Sequence, residues 1–80
     1  MSEDSAAASV TQSFIVEGMH CAACCMLVDD LVEDLPGVRR SRTTLKTGVA
    51  LVELDPAVCD AADVVAAIAE AGYAGTPAGP

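Results

Sequence analysis

The sequence of 80 residues contains no tryptophan, one phenylalanine and one tyrosine, and only four basic residues stand against twelve acidic ones. With a formal net charge of −8, it lacks the clustered positive charge that binding to nucleic acid or to an anionic membrane requires. It has no apolar run near the roughly 20 residues that cross a bilayer, and it does not begin like a secretory signal. We therefore expect a cytoplasmic chain that binds no nucleic acid and does not insert into a membrane.

Apolar residues nevertheless make up 52% of the chain, which argues against general disorder. A chain of this length buries only about 60% of its extended surface and holds a single core. Residues 1–9 are small, polar and acidic, and we predict a flexible tail there. Residues 77–80 are predicted as a second tail or the start of a linker, which leaves residues 10–76 as the domain.

The pattern of apolar residues predicts a mixed α+β fold. The predicted elements are strands over 10–17, 38–45 and 49–55, helices over 22–35 and 61–71, and at most one short strand over 73–76. In the first strand Phe14 and Val16 share one face, Gly48 is typical of a hairpin turn, and Asp60 can cap the second helix. This order fits a split βαβ sandwich with both helices on one face of an antiparallel sheet and a short or poorly formed last strand.

This topology predicts which loops lie at the same end of the molecule. The loop before the first helix and residues 72–73 should meet at one end, because one follows an upward strand and the other an upward helix. Residues 36–37 and 56–59 should lie at the opposite end, a helix length away. Cys59 is therefore expected to be far from the other three cysteines.

Three of the four cysteines are crowded between positions 21 and 25. Without a secretory signal, this spacing favours metal or redox chemistry over a structural disulfide. Cys21 should lie in the loop and Cys24 in the first helical turn, so that their sulfurs converge where the helix N-terminus favours thiolates. Two facing thiolates suit the soft ion Cu(I), whereas Zn(II) demands four ligands.

Several separate motifs resemble the heavy-metal-associated domain, a family that includes small copper chaperones and the N-terminal domains of metal-exporting P-type ATPases. The run GMHCAAC at 18–24 follows a predicted strand and precedes an amphipathic helix that ends in LPGV. A hairpin that closes on DP at 55–56 and a helix that ends in AGY at 71–73 extend the resemblance. It covers about residues 10–73.

The resemblance implies a ferredoxin-like βαββαβ fold and a function in metal transfer without a catalytic step. Cys21 and Cys24 would bind one metal ion, most simply Cu(I), and pass it to a partner domain by ligand exchange. Met19 would point inward beneath the site, and Tyr73 would lie beside the metal. The partner would be a metal-transporting P-type ATPase or a cognate chaperone domain, and the chain itself would be a free chaperone or a domain of a longer ATPase.

Two further residues leave the identity of the bound metal ion undecided. Cys25 would be a small buried hydrophobe or a third thiolate, and His20 would face water or supply another ligand. If both reached the ion, they would complete a tetrahedral site with Cys21 and Cys24, as in a Zn(II), Cd(II) or Hg(II) domain of a divalent-metal ATPase or resistance system. Spare ligands of this kind could also bridge two copies into a metal-linked homodimer. A thiol redox protein is the remaining alternative, because the same cysteine spacing occurs in thioredoxin-like sites.

Charged residues are distributed unevenly along the chain. The acidic side of the first helix is expected to be a solvated surface or a docking face for a basic partner. Its members are Asp29, Asp30, Glu33 and Asp34. The four basic residues all fall within 39–46, along the second strand and its turn, where charge discourages pairing with other chains. Within the resemblance, Ser41 and Thr43 stand where β-branched apolar residues are expected.

Overall fold

The computed structural model describes residues 9–79, which form a four-stranded antiparallel sheet with two helices packed against one face. The elements are β1 (Val10–Glu17), α1 (Ala22–Glu33), β2 (Val38–Thr44), β3 (Val49–Leu54), α2 (Ala61–Glu70) and β4 (Ala74–Gly79). The strand order is β2-β3-β1-β4. This architecture confirms the predicted α+β βαββαβ sandwich. Of the expected tails, residues 1–8 and residue 80 lie outside the described residues.

The core lies between the sheet and the helices and is built largely from aliphatic side chains. In β1, Phe14 is fully buried and Val16 is 4% exposed, whereas Ile15 between them is 44% exposed, as the alternation predicts. Val28 of α1 and Ile68 of α2 are fully buried against this face. Each such side chain contributes about 1.5–3 kcal/mol to the free energy of unfolding. Among residues 9–79, no helix is long and apolar enough to span a membrane.

The last strand is longer than the sequence predicts. Five of the six residues of β4 have low strand propensity, yet it pairs with β1 along an antiparallel ladder with one irregularity. Gly75 allows this strand to lie close to α2, because a Cβ at that position would come within 2.7 Å of Ile68 Cδ1. The sheet therefore continues as far as Gly79, into the segment 77–80 that the sequence predicts as a tail or linker.

The two helices begin in different ways. At α2, the Asp60 carboxylate accepts a hydrogen bond from the Asp63 N–H at 3.0 Å, and the Asp63 carboxylate accepts one from the Asp60 N–H at 3.1 Å. This reciprocal pair is a capping box. At α1 the N-cap residue is Cys21, whose side chain makes no capping hydrogen bond, and the first turn contains no acidic residue. The N–H groups in the first turn of α1 therefore receive no hydrogen bond from the side chain of the N-cap residue.

Two acidic residues of α1 bind the neighbouring edge strand β2. Asp29 accepts hydrogen bonds from the Ser41 hydroxyl at 2.8 Å and from the N–H and hydroxyl of Thr43 at 3.2 and 2.6 Å. Glu33 accepts a hydrogen bond from the Ser41 N–H at 2.9 Å. The expectation of a solvated acidic face is thus wrong for Asp29, which is half-buried, and holds for the exposed Asp30. These contacts also explain why polar residues occupy positions 41 and 43.

Candidate metal centre

Two thiols lie side by side where the β1–α1 loop enters α1. The Sγ atoms of Cys21 and Cys24 are 3.5 Å apart. The Cys24 N–H donates to the Cys21 carbonyl oxygen at 3.0 Å, which closes the first turn and holds both residues on the same side of the loop. Cys21 is exposed and Cys24 is half-buried. The sequence-predicted pair is therefore brought together at the surface.

The surroundings of Cys24 favour its thiolate form. A hydrogen bond with the Tyr73 side chain is the largest of the effects that lower the pKa of Cys24 to about 6, followed by backbone hydrogen bonds from His20 and Cys21. The Cys21 side chain makes a smaller contribution in the same direction. Cys24 is therefore mostly deprotonated at neutral pH, and a metal ion that binds there need not displace a proton.

Tyr73 reaches this site from the loop after α2. Its backbone N–H donates to the Ile68 carbonyl oxygen at 3.2 Å, which fixes the turn that ends the helix. Its ring lies against Gly18, where an added Cβ would be 3.3 Å from the ring atom Cδ1. Gly18 also has a φ of +100°, a conformation that favours glycine. The interaction with Cys24 in turn raises the pKa of Tyr73, so the phenol remains protonated as a hydrogen-bond donor.

Cys25 points away from this pair and into the protein. It is 7% exposed, and its Sγ lies 3.8 Å from the Sδ of Met19. Met19 is half-buried and packs against the hydrophobic core. Burial raises the pKa of Cys25, and the nearby charge of Asp29 adds to this effect. The sulfur atoms of Cys25 and Met19 are thus in contact with each other below the exposed pair of Cys21 and Cys24.

The other candidate ligands lie apart from this arrangement. His20 is exposed beside Cys21. Cys59 is 1% exposed and lies near Gly37, at the opposite end of the domain, where burial raises its pKa. Within residues 9–79, no group of three or more His, Cys, Asp or Glu side chains is placed to hold a metal ion together. The four-residue set considered as a tetrahedral site is therefore not assembled in the described part of the chain.

Asp29 is a neighbour of the site that sequence reasoning missed. The sequence predicts Asp29 on the solvated side of the helix, but it binds β2 and its charge acts on the Cys25 thiol. A signal was available in the spacing, because Asp29 follows Cys25 by four residues and therefore lies on the same face of α1. Asp29 thus connects α1, which contains Cys24 and Cys25, to the edge of the sheet.

A βαββαβ sandwich with two adjacent thiols at the start of its first helix defines a metal-binding module. The family model of the heavy-metal-associated domain matches residues 13–74 of this sequence. The chain therefore belongs to the heavy-metal-associated domain family, whose modules bind and transfer heavy-metal ions without catalysing a reaction.

Three known proteins illustrate the range of relatives. The copper-transporting ATPase RAN1 of Arabidopsis thaliana is 40% identical over 76 residues, which cover 95% of this chain and 8% of the ATPase. The periplasmic component of a mercuric transport system from Pseudomonas aeruginosa is 34% identical over 67 residues, covering 84% and 74%. The solved structure of the CopZ metallochaperone aligns with a TM-score of 0.81 at 25% identity, covering 84% of this chain and all of that one. The chain thus spans less than a tenth of the ATPase and most of the two small relatives.

Proposed function

We propose that the chain binds one Cu(I) ion through the thiolates of Cys21 and Cys24. The observation that carries this proposal is the 3.5 Å separation of their Sγ atoms on an exposed loop. A pKa of about 6 for Cys24 supports it, because at neutral pH the site supplies a thiolate without prior proton loss. Soft thiolate sulfur is the ligand type that selects Cu(I). The similarity to a copper-transporting ATPase and to a metallochaperone points in the same direction.

Transfer of the ion to a partner domain would proceed by exchange of thiolate ligands. Cys21 is exposed, so a thiolate of the partner can approach the bound ion from the Cys21 side while Cys24 still holds it. Tyr73 would stay with Cys24 during this exchange, because its side chain interacts with that thiol. We propose a P-type ATPase or its cognate chaperone domain as the partner, with transfer on the cytoplasmic side of the membrane. The same site serves a free chaperone and a domain of a longer ATPase equally well.

Hg(II) is the second candidate cargo. It is favoured by the relative from the mercuric transport system, which is 34% identical to this chain. Two thiolates also suit this soft ion, so Cys21 and Cys24 would be its ligands as well. A Zn(II) site has less support, because Cys25 would have to leave its contact with Met19 to become a ligand.

The test is an anaerobic titration of the reduced protein with Cu(I), Hg(II) and Zn(II), each in competition with a chelator of known affinity. We expect one Cu(I) per chain. Cys21→Ser and Cys24→Ser should each weaken Cu(I) binding by about 100-fold or more, because one of two sulfur ligands is lost. Cys25→Ala should leave the Cu(I) affinity within about threefold of the unmodified chain.

Cys59→Ala provides the matched control, since it removes a buried thiol at the far end of the domain. Its Cu(I) affinity should equal that of the unmodified chain. Preferential binding of Zn(II) that collapses in Cys25→Ala or His20→Ala would overturn the copper proposal. Hg(II) binding that exceeds Cu(I) binding in competition would favour the second candidate.

A further inference from the structure

The face of the sheet that the helices leave open carries a shallow groove. Its volume is about 170 Å³. It is lined by Thr11 of β1, Leu51 and Glu53 of β3, and Arg40 and Arg42 of β2. Leu51 is 46% exposed, and both arginines are exposed. The groove thus combines one exposed apolar side chain with two cationic side chains and one carboxylate.

The pairing of the strands fixes how these side chains are arranged. Arg42 lies opposite Leu51, and Arg40 lies opposite Glu53. Glu53 in turn lies opposite Thr11. Since Arg40 and Arg42 are two residues apart on one strand, their Cα atoms are about 6.6 Å apart along it. An extended peptide repeats its side chains at the same interval.

These two arginines are not needed to keep other chains off the edge of β2. Charged residues on an edge strand often prevent pairing with other chains, but here the outer N–H groups of Ser41 and Thr43 already donate to carboxylates of α1. Arg39 is engaged elsewhere, because its Nη1 donates to the Ser9 hydroxyl at 3.3 Å. Arg40 and Arg42 therefore give a positive surface to a chain that is otherwise strongly acidic.

The groove also lies away from the cysteine loop. Thr11 is near the start of β1, whereas the loop with Cys21 follows the end of that strand. The strand rises about 3.3 Å per residue, so Thr11 and the end of β1 are about 20 Å apart. A molecule bound in the groove would leave the two thiols accessible for metal exchange.

We propose that this groove docks an extended acidic segment of a partner polypeptide, with carboxylates at alternate residues facing Arg40 and Arg42. A guanidinium group binds a carboxylate through two parallel hydrogen bonds, and glutamate methylene groups can cover Leu51. The net charge of the protein favours a short acidic peptide over a lipid surface or a nucleic acid as the ligand of this groove. A net charge of −8 repels an extended anionic surface, whereas a short segment in the groove meets two arginines and one carboxylate, that of Glu53.

The experiment is an NMR titration of the ¹⁵N-labelled 80-residue protein with an acetylated peptide of four Glu-Ser repeats at low salt. We expect saturable shifts of the amide signals of Arg40, Arg42 and Leu51, and weaker binding as sodium chloride is added. Arg42→Glu should weaken binding by about tenfold or more, because it replaces attraction with repulsion. Glu53→Gln should strengthen binding severalfold, because it removes a carboxylate from the groove.

Lys46→Glu is the matched control, since it makes the same change in net charge on the β2–β3 turn, outside the groove. It should change peptide affinity by less than about twofold. An equal loss in Lys46→Glu and Arg42→Glu, or shifts centred elsewhere, would overturn the proposal. So would binding to vesicles containing phosphatidylserine in the absence of peptide binding. Cu(I) titration of Arg42→Glu should match the unmodified chain, so failure here is separable from failure of the metal proposal.

Discussion

The carboxylate of Asp29 accepts hydrogen bonds from both the backbone N–H and the hydroxyl of Thr43, at 3.2 and 2.6 Å. Together with Glu33, which accepts the Ser41 N–H, Asp29 satisfies donors on the outer edge of β2 and fixes the helix against the sheet. Cys24 and Cys25 lie on this same helix, about one turn before Asp29. A polar contact between a helix and an edge strand thus helps to position the proposed metal site.

Loss of the Asp29 carboxylate should destabilise the fold. Asp29→Ala leaves the hydroxyls of Ser41 and Thr43 without their acceptor, and we expect a loss of about 2–4 kcal/mol in the free energy of unfolding. Urea unfolding followed by circular dichroism measures this change. The exposed neighbour provides the control, and Asp30→Ala should change stability by less than about 0.5 kcal/mol. Equal effects of the two substitutions would contradict the assigned role.

Replacing the whole polar contact by apolar side chains should be milder than breaking it. We expect the triple variant Asp29→Leu, Ser41→Val, Thr43→Val to be more stable than Asp29→Ala, because no buried hydroxyl is then left without a partner. The same unfolding assay tests this. A triple variant less stable than Asp29→Ala would contradict this expectation, because the Thr43 N–H loses its acceptor equally in both variants.

The Tyr73 hydroxyl should control the titration of Cys24. In Tyr73→Phe the largest cause of the lowered pKa is lost, so the pKa of Cys24 should rise from about 6 toward 9.0. The rate of alkylation at Cys24, followed against pH by peptide mass spectrometry, reports this value because only the thiolate reacts. An unchanged inflection near pH 6 would assign the shift to the backbone donors instead.

The same substitution should change the pH dependence of Cu(I) binding. Protons compete for Cys24 only below its pKa, so in the unmodified chain the competition at this ligand should begin as the pH drops below about 6. In Tyr73→Phe this competition should begin at a higher pH. Competition titrations between pH 5 and 9 test this, and superimposable profiles for the two proteins would contradict it.

We expect Cys21 to cap α1 poorly and to contribute as a metal ligand instead. Serine accepts a backbone N–H hydrogen bond well at an N-cap, whereas the Cys21 side chain makes no such bond. Cys21→Ser should therefore raise the stability of the metal-free protein by about 0.5–1 kcal/mol while it weakens metal binding. For comparison, Asp60→Ala should lower stability by about 1 kcal/mol through loss of the α2 cap. A destabilised Cys21→Ser protein would show that the cysteine supports the fold.

Much of the fold could be predicted from local sequence patterns, because alternation around Phe14 and the Asp60 cap are properties of neighbouring residues. The last strand could not, since its Gly- and Pro-containing sequence forms a strand only through pairing with β1 and close packing of Gly75 on Ile68. The contact of Asp29 with β2 depends on the rotation of α1 against the sheet. Sequence spacing indicated the pair Cys21 and Cys24, but not that Cys25 would contact Met19.

The occupied N–H groups on the outer edge of β2 affect how long this domain stays in contact with another chain. Ser41 and Thr43 have already committed their N–H groups to side chains of the same molecule. A colliding chain therefore finds no open ladder at these two positions, so this edge does not hold a partner by strand addition. Rapid release after each collision is what a carrier needs if it is to visit many partners in turn.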